Sequence, residues 1–256
     1  MEIYSDILPP DVPLWAAGLT IFAAFFTAML TAAFSLGGGL ALLAIMSAIL
    51  PAPAVIPVHG VAQLGSNVSR FALQARDVVW SIILWFSAGA LLGSAIGGAV
   101  AVNLPVWALR GGVGFFILYA VWGPRPGNFT PGRKTFFATG AIGSFLTMFF
   151  GATGPIAATM LSATKLDRLN RTATHAACMT MQHFLKILAF GFLGFAYVEW
   201  AGIIILIVLA GFAGSFVGTK FLRKMDEQTF GNGFKTILSA VALYLIAAAI
   251  SDFRTS

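Results

Sequence analysis

The stretch GATGPIAATMLSATK (151–165) decides how this chain folds. It opens on Gly151, Ala152, Thr153 and Gly154, runs as a mostly apolar segment over 155–164, and stops at Lys165. A helix rises about 1.5 Å per residue and needs about 20 apolar residues to cross a bilayer, so this segment reaches only about halfway. It reads as a half-helix. Pro155 suits its first turn, where a missing N–H costs nothing, and the glycines before it suit a sharp reversal of the chain.

A half-crossing helix presupposes a bilayer, and the composition supplies the reason for one. Of 256 residues, 59% are hydrophobic and 9% charged, and the 28 glycines bring the apolar share to about 70%. Soluble domains sit near 45–50% apolar with about 25% charged, so this chain has too few charges to solvate a globular surface. It reads as an all-α integral membrane protein. That excludes a soluble enzyme, a disordered chain and, despite the net charge of +6, a nucleic-acid-binding domain. Cys178 is the single cysteine and lies in an apolar stretch, so no intrachain disulfide forms. The first twelve residues carry Glu2, Asp6 and Asp11 and no basic residue, which argues against a cleaved signal peptide.

The half-helix has a counterpart. Apolar segments run over 13–36, 40–50, 58–75, 79–102 and 105–122, then in the same order over 135–150, 155–164, 172–196, 200–222 and 233–250. His59 and His175 are 116 residues apart, as are Arg70 and Lys186. Gly93, Ser94 and Gly97 match Gly214, Ser215 and Gly218 at an offset of 121, and Arg110, Leu118 and Tyr119 match Lys235, Leu243 and Tyr244 at 125. The offset grows only across polar connections, as a duplication with loop insertions requires. The expected units are a first transmembrane repeat over 1–122, a cytoplasmic linker over 123–134 and a second repeat over 135–256. Each repeat reads as a glycine-tipped re-entrant hairpin followed by three transmembrane helices. Three crossings are an odd number, so the repeats have opposite orientations, the plan of many secondary transporters.

Charge orients them. With both termini outside, Arg76, Arg125, Arg133, Lys134, Lys165, Arg168, Arg171, Arg223 and Lys224 all fall on the cytoplasmic side, a strong positive-inside bias. Glu199 and Asp252 fall outside, with Arg110 and Arg254 as the basic exceptions.

Candidate site residues sit mainly on the third segment of each half. His59, Gln63, Ser66, Asn67 and Arg70 follow helical spacing along one face, and His175, Gln182, His183 and Lys186 repeat the pattern. Polar stripes in membrane helices face protein or water. A lysine in an apolar run costs about 2.5–3.5 kcal/mol, and Lys186 is too far from either end of its segment to snorkel. Arg70 and Lys186 are expected about halfway along their spans, flanking one central cavity. No acidic residue is embedded near them, so the pair suits an anionic substrate. The breaks add Gly37, Gly38 and Gly39 in the first half and Gly151, Thr153, Gly154 and Pro155 in the second. There the positive ends of the half-helices point at the same centre. Glycines 89, 93 and 97, and 211, 214 and 218, read instead as helix-packing positions. His183, beside Lys186, is the candidate for proton transfer. The histidines lack nearby carboxylates and Cys178 lacks a partner thiol, so neither a metal nor a cofactor is expected. Embedded aspartates, HExxH and GxSG are absent, which argues against intramembrane catalysis.

SLGGGL (35–40), a short proline-ended segment, HGVAQLGSNVSRF (59–71) and ARDVVW (75–80) together resemble the first repeat of the sulfite exporter TauE/SafE family. FGATGP (150–155) and NRTATHAACMTMQHFLKIL (170–188) form a degenerate second copy. The resemblance covers most of the chain. It implies a bacterial inner-membrane permease for sulfite or small organosulfonates, usually exporting them, whose partners are a small anion and the bilayer. An anion channel, or a carrier for another small organic anion, is the alternative; saturable, counterflow-competent uptake separates a carrier from a pore.

Overall fold

The computed structural model describes residues 8–9, 12–34, 37–101, 105–123, 129–221 and 227–255. Among these the chain forms ten α-helices: α1 (Leu14–Phe34), α2 (Gly38–Ile49), α3 (Ala52–Leu73), α4 (Trp80–Ala101), α5 (Val106–Trp122), α6 (Arg133–Phe150), α7 (Gly154–Ser162), α8 (Arg168–Phe192), α9 (Ala201–Phe221) and α10 (Glu227–Thr255). Arg125, Arg223, Lys224 and the acidic residues Glu2, Asp6 and Asp11 lie outside the described residues.

The breaks fall where the glycines put them. Gly37 takes φ 94° before α2 and Gly151 takes φ 72° after α6, a left-handed conformation that side chains resist. Pro155 is in the first turn of α7. At 12 and 9 residues, α2 and α7 are about 18 and 13 Å long, so neither crosses a hydrocarbon core of about 30 Å. The helices that precede them are longer, 21 residues in α1 and 18 in α6.

Two boundaries differ from the apolar pattern. Helix α3 begins six residues before 58, because Pro51 caps it and Pro53 occupies its first turn without losing a hydrogen bond. Helix α8 begins four residues before 172, because Asp167 caps it by accepting from the Asn170 backbone N–H at 2.9 Å. The expected linker also loses Arg133 and Lys134 to the start of α6.

Four helices are long and apolar enough to cross a bilayer, over Leu14–Ala32, Trp80–Val100, Ala201–Gly218 and Lys235–Thr255. Helices α3 and α8, with 22 and 25 residues, have the length but carry the polar stripes, and they pack against each other. The chain is a membrane protein.

Packing is organised by small residues. Gly89 and Gly93 of α4 lie against the backbone of Phe137 and Ala141 of α6, and Gly214 and Gly218 of α9 lie against Phe25 and Met29 of α1. Gly97 meets Phe145 and Met148, whereas Gly211 is looser, with only Ala28 near it. In both seams the numbers rise together, so α4 runs parallel to α6 and α9 to α1. The other two pairs are antiparallel. Gly60 lies against Lys186 and Ile187, the backbone of Val79 bonds Thr174, and Asp77 accepts from Asn170, so α8 descends as α3 ascends. Gly114 meets Ala242 and Ile246, and Arg110 pairs with Asp252 at 2.7 Å, which sets α10 antiparallel to α5.

The basic segments share one end of the molecule. The turn holding Arg76 touches the start of α8 through the Asp77–Asn170 bond, and Arg133 lies 6.0 Å over the Trp85 ring near the start of α4.

Candidate functional site

Helix α8 is rich in small residues over Ala173–Cys178, where Ala173, Ala177 and Cys178 share a buried cluster with Ile83, Phe86 and Ala90 of α4, and then places Gln182, His183 and Lys186 in the interior. All three are buried, and Lys186 is 0% exposed. Its alkyl stem passes over Gly60 of α3, where a Cβ would lie 2.9 Å from Cε. Its amine donates to the carbonyl of Gly151 at 2.8 Å. Among the described residues no carboxylate pairs with Lys186, and that carbonyl is its one acceptor.

Gly151 thereby does two things. Its positive φ ends α6, and its carbonyl accepts from both Lys186 and the Thr147 hydroxyl, the latter at 3.0 Å. The tip is braced next door, where Gln182 donates to Thr153 Oγ1 at 2.7 Å and Thr153 donates to the Gly143 carbonyl at 2.8 Å. Such a chain fixes the turn by satisfied polar groups rather than by bulk.

His59 of α3 completes this cluster. It is 0% exposed, its Nε2 lies 2.9 Å from the Gly39 carbonyl in the first turn of α2, and its ring meets that of His183 edge-on with centroids 6.0 Å apart. Nδ1 of both His59 and His183 is buried without a hydrogen-bond partner. Lys186 acts on both rings electrostatically. Three donors or acceptors with unused capacity therefore converge between the starts of α2 and α7, at a place where an unpaired buried group costs about 1–3 kcal/mol.

Arg70 is elsewhere, which corrects the expectation that it lies halfway along its span beside Lys186. It sits in the last turn of α3, because that helix starts six residues before the apolar pattern and ends at Leu73. The antiparallel register puts Arg70 near His175, which it reaches electrostatically, rather than near Lys186's end of the contact. Its Nη2 donates to Asn67 Oδ1 at 2.6 Å, Asn67 donates to the Gln63 carbonyl at 2.7 Å, and Arg70 Nε is buried without a partner. His175 Nε2 lies 3.2 Å from the Gly154 carbonyl.

The remaining candidates are structural neighbours of these groups. Gln63 lies over Gly39, and Ser66 is buried on the same face of α3. Gly38 is packed against Thr27 and Thr31 of α1, so its missing side chain serves helix contact. Gly154 and Pro155 open α7, with Gly154 against Met179 and His175. A void of about 360 Å³ lies further along, bounded by Ile56, Leu109, Met148, Phe190 and Phe195, and it is apolar. Sequence reasoning overlooked Gly60, Thr147 and Gly143, which position Lys186 and its tip. Gly60 directly follows His59, and that adjacency was the available signal.

Comparison with curated proteins and with solved structures gives no match. The model of the family described as Sulfite exporter TauE/SafE matches residues 20–245, spanning both glycine breaks, both polar stripes and both glycine seams. Over that length, the chain belongs to the sulfite exporter TauE/SafE family of membrane transporters.

Proposed function

We propose that the chain is a secondary transporter carrying a small sulfur-containing anion, sulfite or an organosulfonate, outward across the bacterial inner membrane by alternating access. The observation that carries this reading is Lys186: a fully buried amine that, among the described residues, has no carboxylate partner and is held by the Gly151 backbone carbonyl where α6 ends. A cation placed there at such cost awaits an anion. His59, His183 and the start of α2 supply the remaining contacts, and the positive ends of α2 and α7 add to them.

The proposed architecture is two inverted repeats over 1–122 and 135–256, each a glycine-tipped hairpin followed by three crossings. The glycine seams support it, since the contact of Gly93 with Ala141 becomes that of Gly214 with Phe25 when the offsets of 121 and 116 are applied. The antiparallel α3–α8 and α5–α10 pairs support opposite orientations of the two halves. The shared basic end would face the cytoplasm, with both termini outside. Burial of Lys186, His59 and His183 favours a carrier in an occluded conformation over an open pore.

The test is a thermal-shift screen of the purified protein with sulfite, sulfate, thiosulfate, alkylsulfonates and dicarboxylates, because a ligand stabilises the state that it binds. Sulfite or a sulfonate should raise the melting temperature of the wild type and leave Lys186→Gln unshifted. An unshifted wild type with every anion would overturn the reading.

A further inference from the structure

The displaced Arg70 is not a defect of the repeat. An offset of 116 residues maps His59 onto His175, Asn67 onto His183 and Arg70 onto Lys186. In each set the three groups come from both halves. His59 of α3 joins His183 and Lys186 of α8, while His175 of α8 joins Asn67 and Arg70 of α3. The histidine of each set is anchored on a half-helix in the same manner, His59 to the Gly39 carbonyl and His175 to the Gly154 carbonyl. We infer that the chain holds a second anion station, made of His175, Asn67 and Arg70, through which the substrate passes between the basic face and the buried site at Lys186.

Geometry separates the two stations. Gly60 lies opposite Lys186, and Arg70 is ten residues further along α3, so in the antiparallel pair the two cations lie roughly 15 Å apart, with Asn67 and His183 between them. Arg70 and His175 are half-buried where Lys186 and His59 are sealed, and of the second set only Asn67 is buried, so its cation and its histidine have the greater access. It is nearer the basic end, because Asp77 and Val79 follow Arg70 by less than three turns and bond Asn170 and Thr174 there. The chemistry suits an oxyanion. A guanidinium presents a planar fork of donors, and Asn67 already holds one of its nitrogens, fixing the fork while Nε stays unpartnered. A carrier that took its substrate from the basic face directly to Lys186 would need no arginine at this depth.

This inference rests on the anion-transport reading, and its test is chosen to fail separately. Sulfite transport is measured in proteoliposomes of known orientation, with sulfite presented from the face of Arg76, Arg133 and Lys165 or from the opposite face. Arg70→Gln should raise the half-saturating sulfite concentration about tenfold or more from the basic face and change it less than about twofold from the other. Arg70→Lys, which keeps the charge, should recover most of the loss, and equal size-exclusion profiles should show that the variants fold. An equal change from both faces would place Arg70 in a single shared site and overturn the second station, as would no change from either. Absence of saturable sulfite transport by the wild type would instead overturn the parent reading.

Discussion

Helices α3 and α8 carry the same pattern in the same register, with a histidine at the eighth position and a cation at the nineteenth, yet the two cations end in unlike surroundings. Lys186 is sealed against Gly60 and tied to the Gly151 carbonyl, while Arg70 lies in the last turn of its helix with part of its side chain accessible. The cause is length beyond the cation. Six residues follow Lys186 in α8 and three follow Arg70 in α3, so one cation is carried further inside than the other. Positions that match in pattern along two helices need not have equal depth, and on the proposed reading the inequality would separate a sealed site from an approach to it.

The largest expected effect tests the sealed side. Lys186→Gln should weaken sulfite binding by a factor of at least roughly 30 on folded, monodisperse protein, since removing one member of a desolvated charge pair costs about 2–5 kcal/mol. Titration calorimetry of both proteins measures it. Wild-type affinity in the variant would make Lys186 a structural brace for the Gly151 turn. Lys186→Arg sharpens the contrast with Arg70→Lys. The stem of Lys186 packs closely over Gly60 and its amine is seated on the Gly151 carbonyl at 2.8 Å, a seat sized to a point charge, so the arginine should lose about tenfold or more in affinity although charge is conserved.

Much of this was legible in the residues. The positions of both breaks followed from Gly37–Gly39 and from Gly151 to Pro155, because only glycine adopts those backbone angles freely and proline starts helices. The burial of Lys186 followed from its distance to either end of an apolar run. The site's division into two sets did not, for a physical reason: which residue of α3 meets which residue of α8 is set by close approach at Gly60 and by the helix starts at Pro51 and Asp167, not by either stripe alone. Reading α3 from 58 rather than from Ala52 left Arg70 apparently central. The tip braces Thr147 and Gly143 were equally hidden, since a threonine or glycine in an apolar helix shows no spacing that marks it as a hydrogen-bonding partner.

A smaller effect compares the seams rather than the stripes. Gly93→Ala would drive a methyl into the backbone of Ala141, and Gly214→Ala would do the same at Phe25. Each should cost about 1–3 kcal/mol through overpacking, and the two should cost nearly the same. Matched thermal or chemical denaturation of the two variants in one detergent checks this. A large effect at one position alone would mean that the seams are not equivalent.

The smallest effect on binding, and the most informative one on mechanism, is expected at His183. Its equivalent on α3 is Asn67, a group that does not titrate, so the pair differs in its capacity to hold a proton and in little else. His183 has a buried Nδ1 without a partner and is faced by Lys186, His59, His175 and Arg70, with no carboxylate among the groups that act on it. A glutamine amide can still donate to the anion in place of the imidazole, so His183→Gln should change sulfite counterflow by no more than about twofold to threefold, near or below the cost of one neutral hydrogen bond. If the transport cycle moves a proton, His183 is the group in the sealed set best placed to carry it, and His183→Gln should abolish uptake driven by a pH gradient while that counterflow persists. Both are measured on the same proteoliposomes, with and without an imposed gradient. A variant that keeps the wild-type response to the gradient would assign the proton to another group or to the substrate itself, and the difference between His183 and Asn67 would then be one of packing alone.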